Sequence, residues 1–489
     1  MKRVAIIGGG ISGLAAAYEL EQHRRKGAAI DWHLYEASDR LGGIIETTRH
    51  ETPEGSFILE GGPDGWVSEK PWARELAIEL RLESELIHSN DATRRTYILL
   101  DDKLQPMPDR MRMMVPEDLS ALEGSPLFSA EARAAYAAEL TRAVELKASA
   151  PDRDESVASF VLRHFGSEVL DKLAAPLLSG VFGGDVAKLS VRSVMPTFVA
   201  MEREHGSLIA ALQAKAASRG ATPQQPIFTS LRDGVGSLVD ALVATLPADR
   251  LHLRHPVSDI GDENRWHVVC SGLSGERFDH LILATSLDAT RSLLRLDGDR
   301  SYIQKLPTEA SSAVLAAFTW PVESAAQFTV PPGFGFLVPP LNSVISTGAE
   351  RSGETPAFGT AGEPSLLACT FVDQKFPHRA PAGARILRAF FGGASAAALK
   401  TATDQAIASA ALSQLRAIFG PMPEPSHTEV HRWPRSLPQY EVGHLDRTAQ
   451  LDEQVAHIGN LTLLGNSYRG VGVPDLIRDA RNAARALAM

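Results

Sequence analysis

The chain has 489 residues, of which 44% are hydrophobic and 22% charged, a composition that fits a folded protein and excludes a mainly disordered one. At this length we expect roughly two or three domains. The net charge of −10 argues against a nucleic-acid-binding protein, because such proteins need a basic surface to displace counterions from phosphates. The only two cysteines, Cys270 and Cys369, exclude a disulfide scaffold and a cysteine zinc site, and they indicate a reducing, cytoplasmic setting.

The N-terminal residues predict a βαβ unit. RVAII at residues 3–7 is a β-branched run typical of a parallel strand buried on both faces. Glycines follow, and LAAAYELEQHRR then has the composition and spacing of a helix. DWHLYEA predicts a second strand that ends at Glu36. We expect no signal peptide, since glycines interrupt the first apolar run, and no later run reaches the roughly 18 residues of a membrane-spanning helix.

The rest of the chain alternates between helical and strand patterns. Residues 72–86 predict an amphipathic helix, 95–108 predict a hairpin that turns at Asp101 and Asp102, and the pattern from 116 to 201 is almost wholly helical. Strands are expected again in TSLRDG, LHLRHPVSDI, WHVVCSG and HLILATS and at 312–319 and 385–391, with a helix at GSLVDALVATL. Residues 320–366 are rich in Pro, Gly and Ser and predict loops over a binding face, and VPDLIRDARNAARALAM predicts a terminal helix.

The first glycine motif, Gly8–Gly13 (GGGISG), lies between the predicted strand and helix and matches G-x-G-x-x-G. Gly8 permits a tight turn, Gly10 lets the backbone approach a pyrophosphate, and Gly13 allows the helix to pack on the strand. The amides at the helix start would then face an anion. Glu36 can accept both ribose hydroxyls and would repel a 2′-phosphate, which argues against NADP. The alternative is a glycine turn with a surface glutamate.

Residues 37–43 (ASDRLGG) extend this motif. Arg40 can supply a forked donor to a phosphate, and Gly42 and Gly43 allow close backbone approach. The segment resembles the E-x(3)-R-x-G-G extension of FAD oxidases in the amine oxidase superfamily, which favours FAD over NAD. The alternative is a glycine turn that carries a solvated arginine.

Another glycine-rich segment, GNSYRGVGVPD at residues 465–475, precedes the terminal helix. Pro474 lies near the first turn of that helix, so the segment makes a second anion site. In the amine oxidase superfamily the equivalent stretch closes over the flavin ring and phosphate, and the resemblance implies the same here. The alternative is an ordinary loop before a helix.

Longer sequence segments point to a narrower family. Besides the terminal glycine segment, they are EGGPDGWVSEK at 60–70, PLLSGVFGGD at 176–185, GFGFLVPP at 333–340, KFPHRAP at 375–381 and LPQYEVGHL at 437–445. Together they resemble the oxygen-dependent protoporphyrinogen/coproporphyrinogen oxidases of haem biosynthesis along nearly the whole chain. The resemblance implies an FAD domain, a substrate domain and a helical domain that often touches membranes.

From the motifs and the resemblance together we expect a non-covalently bound FAD. The resemblance implies that Asp64 and its neighbours lie beside the flavin, that Val257 contacts the adenine, and that Val471–Val473 lies under the isoalloxazine. The expected cofactor-binding residues are Gly8, Gly10, Ile11, Ser12, Gly13, Glu36, Ala37, Arg40, Gly42, Gly43, Gly62, Pro63, Asp64, Val257, Ala284, Thr285, Gly465, Asn466, Val471, Gly472 and Val473.

The resemblance also implies contacts to a tetrapyrrole. Leu337 and Phe376 match hydrophobic residues that sandwich the substrate, although apolar residues are more often simply part of the core. Gly180 matches a glycine whose carbonyl faces the pyrrole N–H groups.

One position departs from the plant and animal members of the family. Thr96 stands where they carry an arginine that holds a substrate propionate, and Arg94 and Arg95 lie just upstream. In this respect the chain is more similar to the Bacillus-type members, which act on coproporphyrinogen III.

The fold class we expect is mixed α/β, with a Rossmann-type FAD-binding domain made from discontinuous segments, a mixed-sheet substrate domain and an inserted helical domain. The predicted boundaries assign 1–90, 206–290 and 431–489 to the FAD-binding domain, 91–108 (a hairpin) and 291–430 to the substrate domain, and 109–205 to the helical domain.

The implied activity is FAD-dependent oxidation of coproporphyrinogen III or protoporphyrinogen IX to the porphyrin, with oxygen as acceptor and hydrogen peroxide released. No catalytic residue is assigned, since the flavin carries the chemistry. Two alternatives stay open. One is another oxidase or desaturase of the superfamily that acts on an amine or a carotenoid, and the other is a non-catalytic protein that holds FAD or porphyrin.

The expected partners are a porphyrinogen and O2. The resemblance also leaves open peripheral contact with the inner face of a membrane, handover to a ferrochelatase, and either a monomer or a homodimer. Residues 106–128 bear on the membrane question, because their methionines stand beside Arg110 and Arg112. This composition suits an adaptable interfacial surface or, equally, a loop packed into the core.

Overall fold

The computed structural model describes residues 1–218, 225–262, 265–271, 275–294, 302–306, 309–339 and 363–488. Of the loops predicted at 320–366, the part from 340 to 362 lies outside the described residues.

The strands, numbered in chain order, are β1 (Lys2–Ile7), β2 (Ile30–Tyr35), β3 (Thr47–Thr52), β4 (Gly55–Glu60), β5 (Trp66–Val67), β6 (Leu86–His88), β7 (Thr96–Leu100), β8 (Lys103–Pro106), β9 (Met111–Arg112), β10 (Val115–Pro116), β11 (Phe228–Leu231), β12 (Leu251–His252), β13 (Val257–Asp262), β14 (Trp266–Cys270), β15 (Glu276–Phe278), β16 (His280–Leu283), β17 (Ala310–Trp320), β18 (Gly335–Leu337), β19 (Ala368–Phe371), β20 (Arg385–Gly392), β21 (His427–Pro438) and β22 (Leu461–Leu463).

The helices, also in chain order, are α1 (Ile11–Arg25), α2 (Trp72–Glu79), α3 (Ala130–Thr141), α4 (Ala143–Ala148), α5 (Val157–Phe165), α6 (Ser167–Val169), α7 (Ala175–Phe182), α8 (Val191–Val194), α9 (Pro196–His205), α10 (Leu208–Ser218), α11 (Gly236–Thr245), α12 (Leu287–Leu293), α13 (Tyr302–Lys305), α14 (Val322–Ala325), α15 (Val372–Lys375), α16 (Gly393–Ala398), α17 (Asp404–Phe419), α18 (His444–Ile458) and α19 (Val473–Ala488).

Five parallel strands form a Rossmann-type sheet in the order β12-β2-β1-β16-β22. The apolar run of β1 puts it at the centre, and α1 and α19 pack together over one face, where Leu14, Leu20 and Ile477 join the core. Because the strands run the same way, their carboxyl ends meet at one edge, which is where such sheets bind ligands.

A seven-stranded mixed sheet has the order β21-β17-β20-β19-β18-β7-β8. Neighbouring strands are antiparallel except β18 and β7, which run parallel with Gly335 opposite Thr96. Its aromatic core includes Trp320 and Phe371 and is covered by α17.

The helices α3 to α10 form a separate region around a core that includes Tyr136, Phe160 and Phe165. This region corresponds to the helical pattern at 116–201. Together with the two sheets it gives the mixed α/β fold that the sequence predicts.

Local differences from the predicted elements have physical causes. The hairpin is confirmed, because Asp101 and Asp102 join β7 and β8 with φ of 47° and 57°. The helix predicted over 72–86 is wrong beyond Glu79, because Arg81 takes a left-handed φ of 63°. The second strand ends one residue before the expected position. α17, β21, α18 and β22 have no counterpart among the predicted elements.

The apolar residues of segment 106–128 pack inward. Met114 and Val115 are 1% and 0% exposed, and the neighbouring methionines pack against the same helical core. This packing favours the core-packed loop over the interfacial surface. Within the described ranges, every helix is too short or too polar to cross a membrane.

Candidate active site

The turn between β1 and α1 requires glycine at two positions. Gly8 has a φ of 104°, and a Cβ there would lie 2.5 Å from the carbonyl oxygen of Ala284. A Cβ at Gly13 would overlap the carbonyl oxygen of Gly8, because α1 crosses β1 closely at this point. The start of α1 is thereby held against the carboxyl edge of the parallel sheet.

Gly10 faces a second glycine loop. The Gly42 N–H donates to the Gly9 carbonyl at 2.8 Å, and a Cβ on Gly43 would lie 3.2 Å from the Cα of Gly10. Two strips of backbone without side chains therefore run side by side, which lets a ligand approach both closely.

Glu36 follows β2 at the same edge of the sheet. Its Oε2 accepts the Gly9 N–H at 2.7 Å and its Oε1 accepts the Ser38 N–H at 2.8 Å, so the carboxylate has a fixed orientation. A carboxylate has about four acceptor positions. Both oxygens of Glu36 can therefore still accept hydroxyl donors.

A cavity of about 400 Å³ lies at this edge and is called the cofactor cavity below. Its lining includes most of the predicted cofactor-binding residues, namely Gly8, Gly10, Ile11, Ser12, Glu36, Ala37, Gly42, Gly43, Val257, Ala284, Thr285, Gly465 and Asn466. The predicted residues outside its lining are Gly13, Arg40, Gly62, Pro63, Asp64, Val471, Gly472 and Val473. The fold thus brings opposite ends of the chain to one cavity.

Arg40 holds its own loop. Its Nη2 donates to the Gly43 carbonyl at 2.6 Å, its Nη1 donates to the Ile45 carbonyl at 3.2 Å, and Glu46 pairs with it at 3.5 Å. Its contact with a phosphate stays a prediction. The observed contacts fix the shape of the loop that carries Gly42 and Gly43.

The loop with Gly62, Pro63 and Asp64 touches the cofactor cavity from outside. A Cβ at Gly62 would overlap the carbonyl oxygen of Ile44, which itself lines the cavity. The Arg388 guanidinium donates to the Gly62 carbonyl at 2.5 Å. The loop is therefore held by the seven-stranded sheet on one side and lies against the cofactor cavity on the other.

Buried charges surround this loop. Lys375 Nζ lies 3.0 Å from both carboxylate oxygens of Asp64, and Arg388 lies 3.5 Å from one of them. Arg379 pairs with Glu60 at 3.0 Å, and both side chains are 1% exposed. Burial raises the pKa of Asp64, but the two cations outweigh it and hold that pKa below its usual value. Burial also raises the pKa of Glu60 and lowers the pKa of Arg388.

The predicted substrate residues Gly180 and Leu337 lie close together. A Cβ on Gly180, in α7, would lie 2.9 Å from Cδ2 of Leu337, in β18. Phe376 is 0% exposed and lies in the core beneath Lys375, whose Nζ is 5.2 Å from the ring centroid. Contact between Phe376 and a tetrapyrrole stays a prediction.

Thr96 lines a different cavity of about 700 Å³, together with Arg94 and Arg95. It lies at the start of β7, beside the strand that carries Leu337. This cavity is called the arginine cavity below. The three residues that the sequence singles out at this position are thus brought to one site.

The segment before α19 is fixed by Asp475, in the first turn of that helix. A Cβ on Gly470 or on Gly472 would lie 3.1 Å from atoms of the Asp475 side chain, which also pairs with Lys70. Val473 is 7% exposed. The expected position of Val471–Val473 under a flavin ring stays a prediction.

Residues 11–488 match the family described as flavin containing amine oxidoreductase. The chain belongs to this family. It is 32% identical over 494 residues to the coproporphyrinogen III oxidase of Bacillus subtilis (strain 168), covering 99% of this chain and 97% of the relative. It is 27% identical over 508 residues to protoporphyrinogen oxidase 1, chloroplastic, of Arabidopsis thaliana, covering 98% and 86%. A crystal structure of a protein assigned as a protoporphyrinogen oxidase, from Exiguobacterium sp. 255-15, matches with a TM-score of 0.79 and 27% identity, covering 100% of this chain and 98% of that one.

The cofactor of this flavin oxidoreductase is FAD, and the cofactor cavity fits it. Gly8, Gly10 and Gly43 bring backbone without side chains to the lining of this cavity, which leaves their peptide groups open to a ligand. Glu36 offers a fixed carboxylate for ribose hydroxyls, and the start of α1 presents backbone N–H groups where a pyrophosphate would need them. Val257 also lines this cavity, and its contact with the adenine stays a prediction.

Arg435 and Asp288 also line the cofactor cavity, although the sequence does not predict either residue as part of the site. They form an ion pair at 2.5 Å, and the hydrogen bonds from Arg435 lower the pKa of Asp288. Arg435 reaches the cavity because β21 bulges, with a register shift between Ser311 and Ala313 on β17 and a φ of 52° at Arg435. The sequence does not indicate this position, because Pro434 within the run argues against a strand.

Proposed function

We propose that this flavin oxidoreductase oxidises a porphyrinogen to the porphyrin, with oxygen as the acceptor and hydrogen peroxide as the second product. The observation that carries the proposal is the match to the Bacillus subtilis coproporphyrinogen III oxidase, which extends over 99% of this chain. Both the cofactor cavity and the arginine cavity lie inside the aligned length.

The protein's residues hold and orient the two reactants. When bound, the flavin supplies the acceptor for electrons from a saturated carbon and passes them to oxygen. The residues around Gly62 and Asp64 are fixed by buried ion pairs, so the loop beside the cofactor cavity keeps its shape. Gly180 and Leu337, which lie close together, would contact the tetrapyrrole itself. No general base is needed to make the hydride acceptor, so no catalytic side chain is assigned.

The finer proposal is that coproporphyrinogen III is the preferred substrate. Thr96 replaces the arginine that holds a propionate in plant and animal members, while Arg94 and Arg95 remain in the same cavity. The identity to the Bacillus coproporphyrinogen III oxidase, 32%, is also higher than the 27% to the Arabidopsis protoporphyrinogen oxidase.

The test is an aerobic assay of the purified, FAD-loaded protein with each reduced porphyrinogen in turn. We expect porphyrin fluorescence to rise and hydrogen peroxide to accumulate with both, with kcat/KM at least about tenfold higher for coproporphyrinogen III, a difference of about 1.4 kcal/mol. Heat-denatured protein with free FAD controls for spontaneous oxidation. Absence of turnover with both substrates contradicts the function, and a preference for protoporphyrinogen IX contradicts the finer proposal alone.

The expected partners and location are further proposals. We propose a cytoplasmic protein, as a monomer or homodimer, that passes the porphyrin to a ferrochelatase. Peripheral contact with the inner face of a membrane has less support, because the methionines of segment 106–128 pack into the helical core.

A further inference from the structure

The arginine cavity, of about 700 Å³, has four arginines in its lining, Arg94, Arg95, Arg110 and Arg112. Within the part of the chain that the structure describes, none of their guanidinium groups forms a salt bridge or a side-chain hydrogen bond. Exposed arginines without a partner also occur elsewhere in the described chain, Arg81 and Arg153 among them, but these four line one cavity. Four unpaired cations on one cavity indicate a ligand that carries negative charge.

The acidic residues of the lining do not cancel this charge. Glu69, Asp109 and Glu117 also line the cavity, so its cations exceed its anions by one. Arg110 has a left-handed φ of 58° in the turn that leads into β9, as several other turn residues of the chain do. The short strand β9 and its turn thereby carry Arg110 and Arg112 to the cavity that Arg94 and Arg95 reach from the start of β7.

The remaining walls are apolar. Leu177, Phe228 and Phe334 line the cavity, together with Met107, Met111 and Met113. Leu177 lies one turn before Gly180 in α7. A ligand that fits both kinds of wall is an apolar body with several anionic groups on its rim.

The inner wall leads towards the cofactor cavity. Lys375 Nζ lies 4.3 Å from the ring centroid of Phe228, and the same ammonium binds Asp64. Asp64 belongs to the loop that touches Ile44 at the cofactor cavity. An occupant whose apolar body points inward would thus approach the flavin while its anionic rim stays at the arginines.

We infer that Arg94, Arg95, Arg110 and Arg112 bind the peripheral carboxylates of the substrate and so select for the number of carboxylates it carries. The inference rests on the proposed function and deepens it. A tetracarboxylate can engage more of the four guanidinium groups than a dicarboxylate, whose binding leaves some of them unpaired. The arginines contributed by segment 106–128 are then determinants of substrate specificity.

The experiment measures binding separately from turnover. The FAD-loaded protein is titrated with two oxidised porphyrins, coproporphyrin III with four carboxylates and mesoporphyrin IX with two, and binding is followed by fluorescence. We expect the double variant Arg110→Gln, Arg112→Gln to bind coproporphyrin III about tenfold more weakly, with a smaller loss for mesoporphyrin IX. We expect the variant Arg94→Gln, Arg95→Gln to shift the ratio of the two affinities in the same direction, and high salt to weaken coproporphyrin III binding more.

Two control variants test whether the effect depends on charge within the arginine cavity. Asp109→Asn removes a carboxylate from the same lining, so it should strengthen coproporphyrin III binding. Arg153→Gln removes an exposed arginine from the helical region outside the lining and should leave both affinities unchanged. Bound FAD and the unfolding temperature of each variant show that it is folded.

The outcomes separate the inference from the proposed function. Equal loss of both porphyrins in both arginine variants, or no loss in either, overturns the inference. If one double variant fails to fold, the other double variant and Asp109→Asn still test the inference. If wild-type protein oxidises neither porphyrinogen yet binds porphyrins according to carboxylate number, the proposed function fails and the carboxylate site stands.

Discussion

Single backbone positions decide what the cofactor cavity can hold. Gly8 and Gly13 are predictable from the sequence because the requirement is local, since a strand, a tight turn and a helix follow one another within a few residues. Glu36 is predictable for the same reason, as the residue that follows the second strand. Arg435 is not, because its position depends on a bulge that forms only when β21 pairs with β17.

The carboxylate of Glu36 gives the first prediction at this scale. Glu36→Ala should weaken FAD binding by about 1–3 kcal/mol, the scale of charge-assisted hydrogen bonds. The variant removes the acceptor for the ribose and also leaves the Gly9 and Ser38 N–H groups without their partner. Equilibrium dialysis of the apoprotein against FAD measures the change. Asp39→Asn, an exposed carboxylate on the same loop, is the matched control and should bind FAD normally. Unchanged FAD affinity in Glu36→Ala would show that Glu36 does not bind the ribose.

Among elements, α3, α5 and α9 are joined by a buried polar network. His164 in α5 lies 3.1 Å from Glu139 in α3 and 3.1 Å from Glu202 in α9, and its side chain is 0% exposed. Burial lowers the pKa of His164, but the hydrogen bonds to the two carboxylates outweigh burial and raise it above 6.5. The folded state therefore holds the proton more tightly than the unfolded state.

The sign of this shift gives a pH prediction. The stabilisation is fully present below the unfolded pKa, about 6.5, and is lost as pH rises through the raised folded pKa. His164→Gln should lower the free energy of unfolding at about pH 6 by about 3 kcal/mol, because a buried pair loses one charge. The deficit should shrink as pH rises.

Urea denaturation across this pH range measures the deficit. His205→Gln is the matched control, since His205 is a more exposed histidine of α9 beside Glu204. It should leave stability unchanged at every pH. A deficit of constant size in His164→Gln would mean that the residue contributes packing rather than charge.

Elements differ in how far the sequence specifies them. The Asp101-Asp102 turn is local and is predicted correctly. The helix predicted to reach residue 86 stops at Glu79 because Arg81 adopts a left-handed conformation, and nothing in its side chain demands that conformation. β21 contains Pro434 and is mostly half-exposed, so neither alternation nor composition marks it as a strand. This segment becomes a strand because it pairs with β17 in the folded sheet.

At the scale of the whole molecule, the parallel sheet is assembled from distant segments. β1 and β2 come from the N-terminus, β12 and β16 from the middle of the chain, and β22 from near its end. α19 then packs on α1, and its Arg481 pairs with Glu19 of α1 and with Glu79 of α2. The predicted domain boundaries stay a prediction.

The cofactor cavity draws its lining from the same distant segments, from Ile7 to Leu476. Bound FAD would contact all of them at once, whereas the unfolded chain offers no such site. Binding to the folded state alone stabilises it by about 2.7 kcal/mol at a hundredfold excess of ligand over Kd. We therefore expect the unfolding temperature of the apoprotein to rise with FAD concentration without a plateau near saturation, since the stabilisation grows with the logarithm of free ligand.

Differential scanning calorimetry of the apoprotein over a series of FAD concentrations measures this dependence. FMN lacks the adenosine half that Glu36 and Val257 would contact, so it should raise the unfolding temperature less than FAD at equal concentration. Glu36→Ala should need more FAD for the same rise, and the spacing between its curve and that of the wild type should equal the loss of affinity found by dialysis. If FAD and FMN act alike, the adenosine end contributes no binding energy and the cavity at the carboxyl edge of the parallel sheet is not where FAD is recognised.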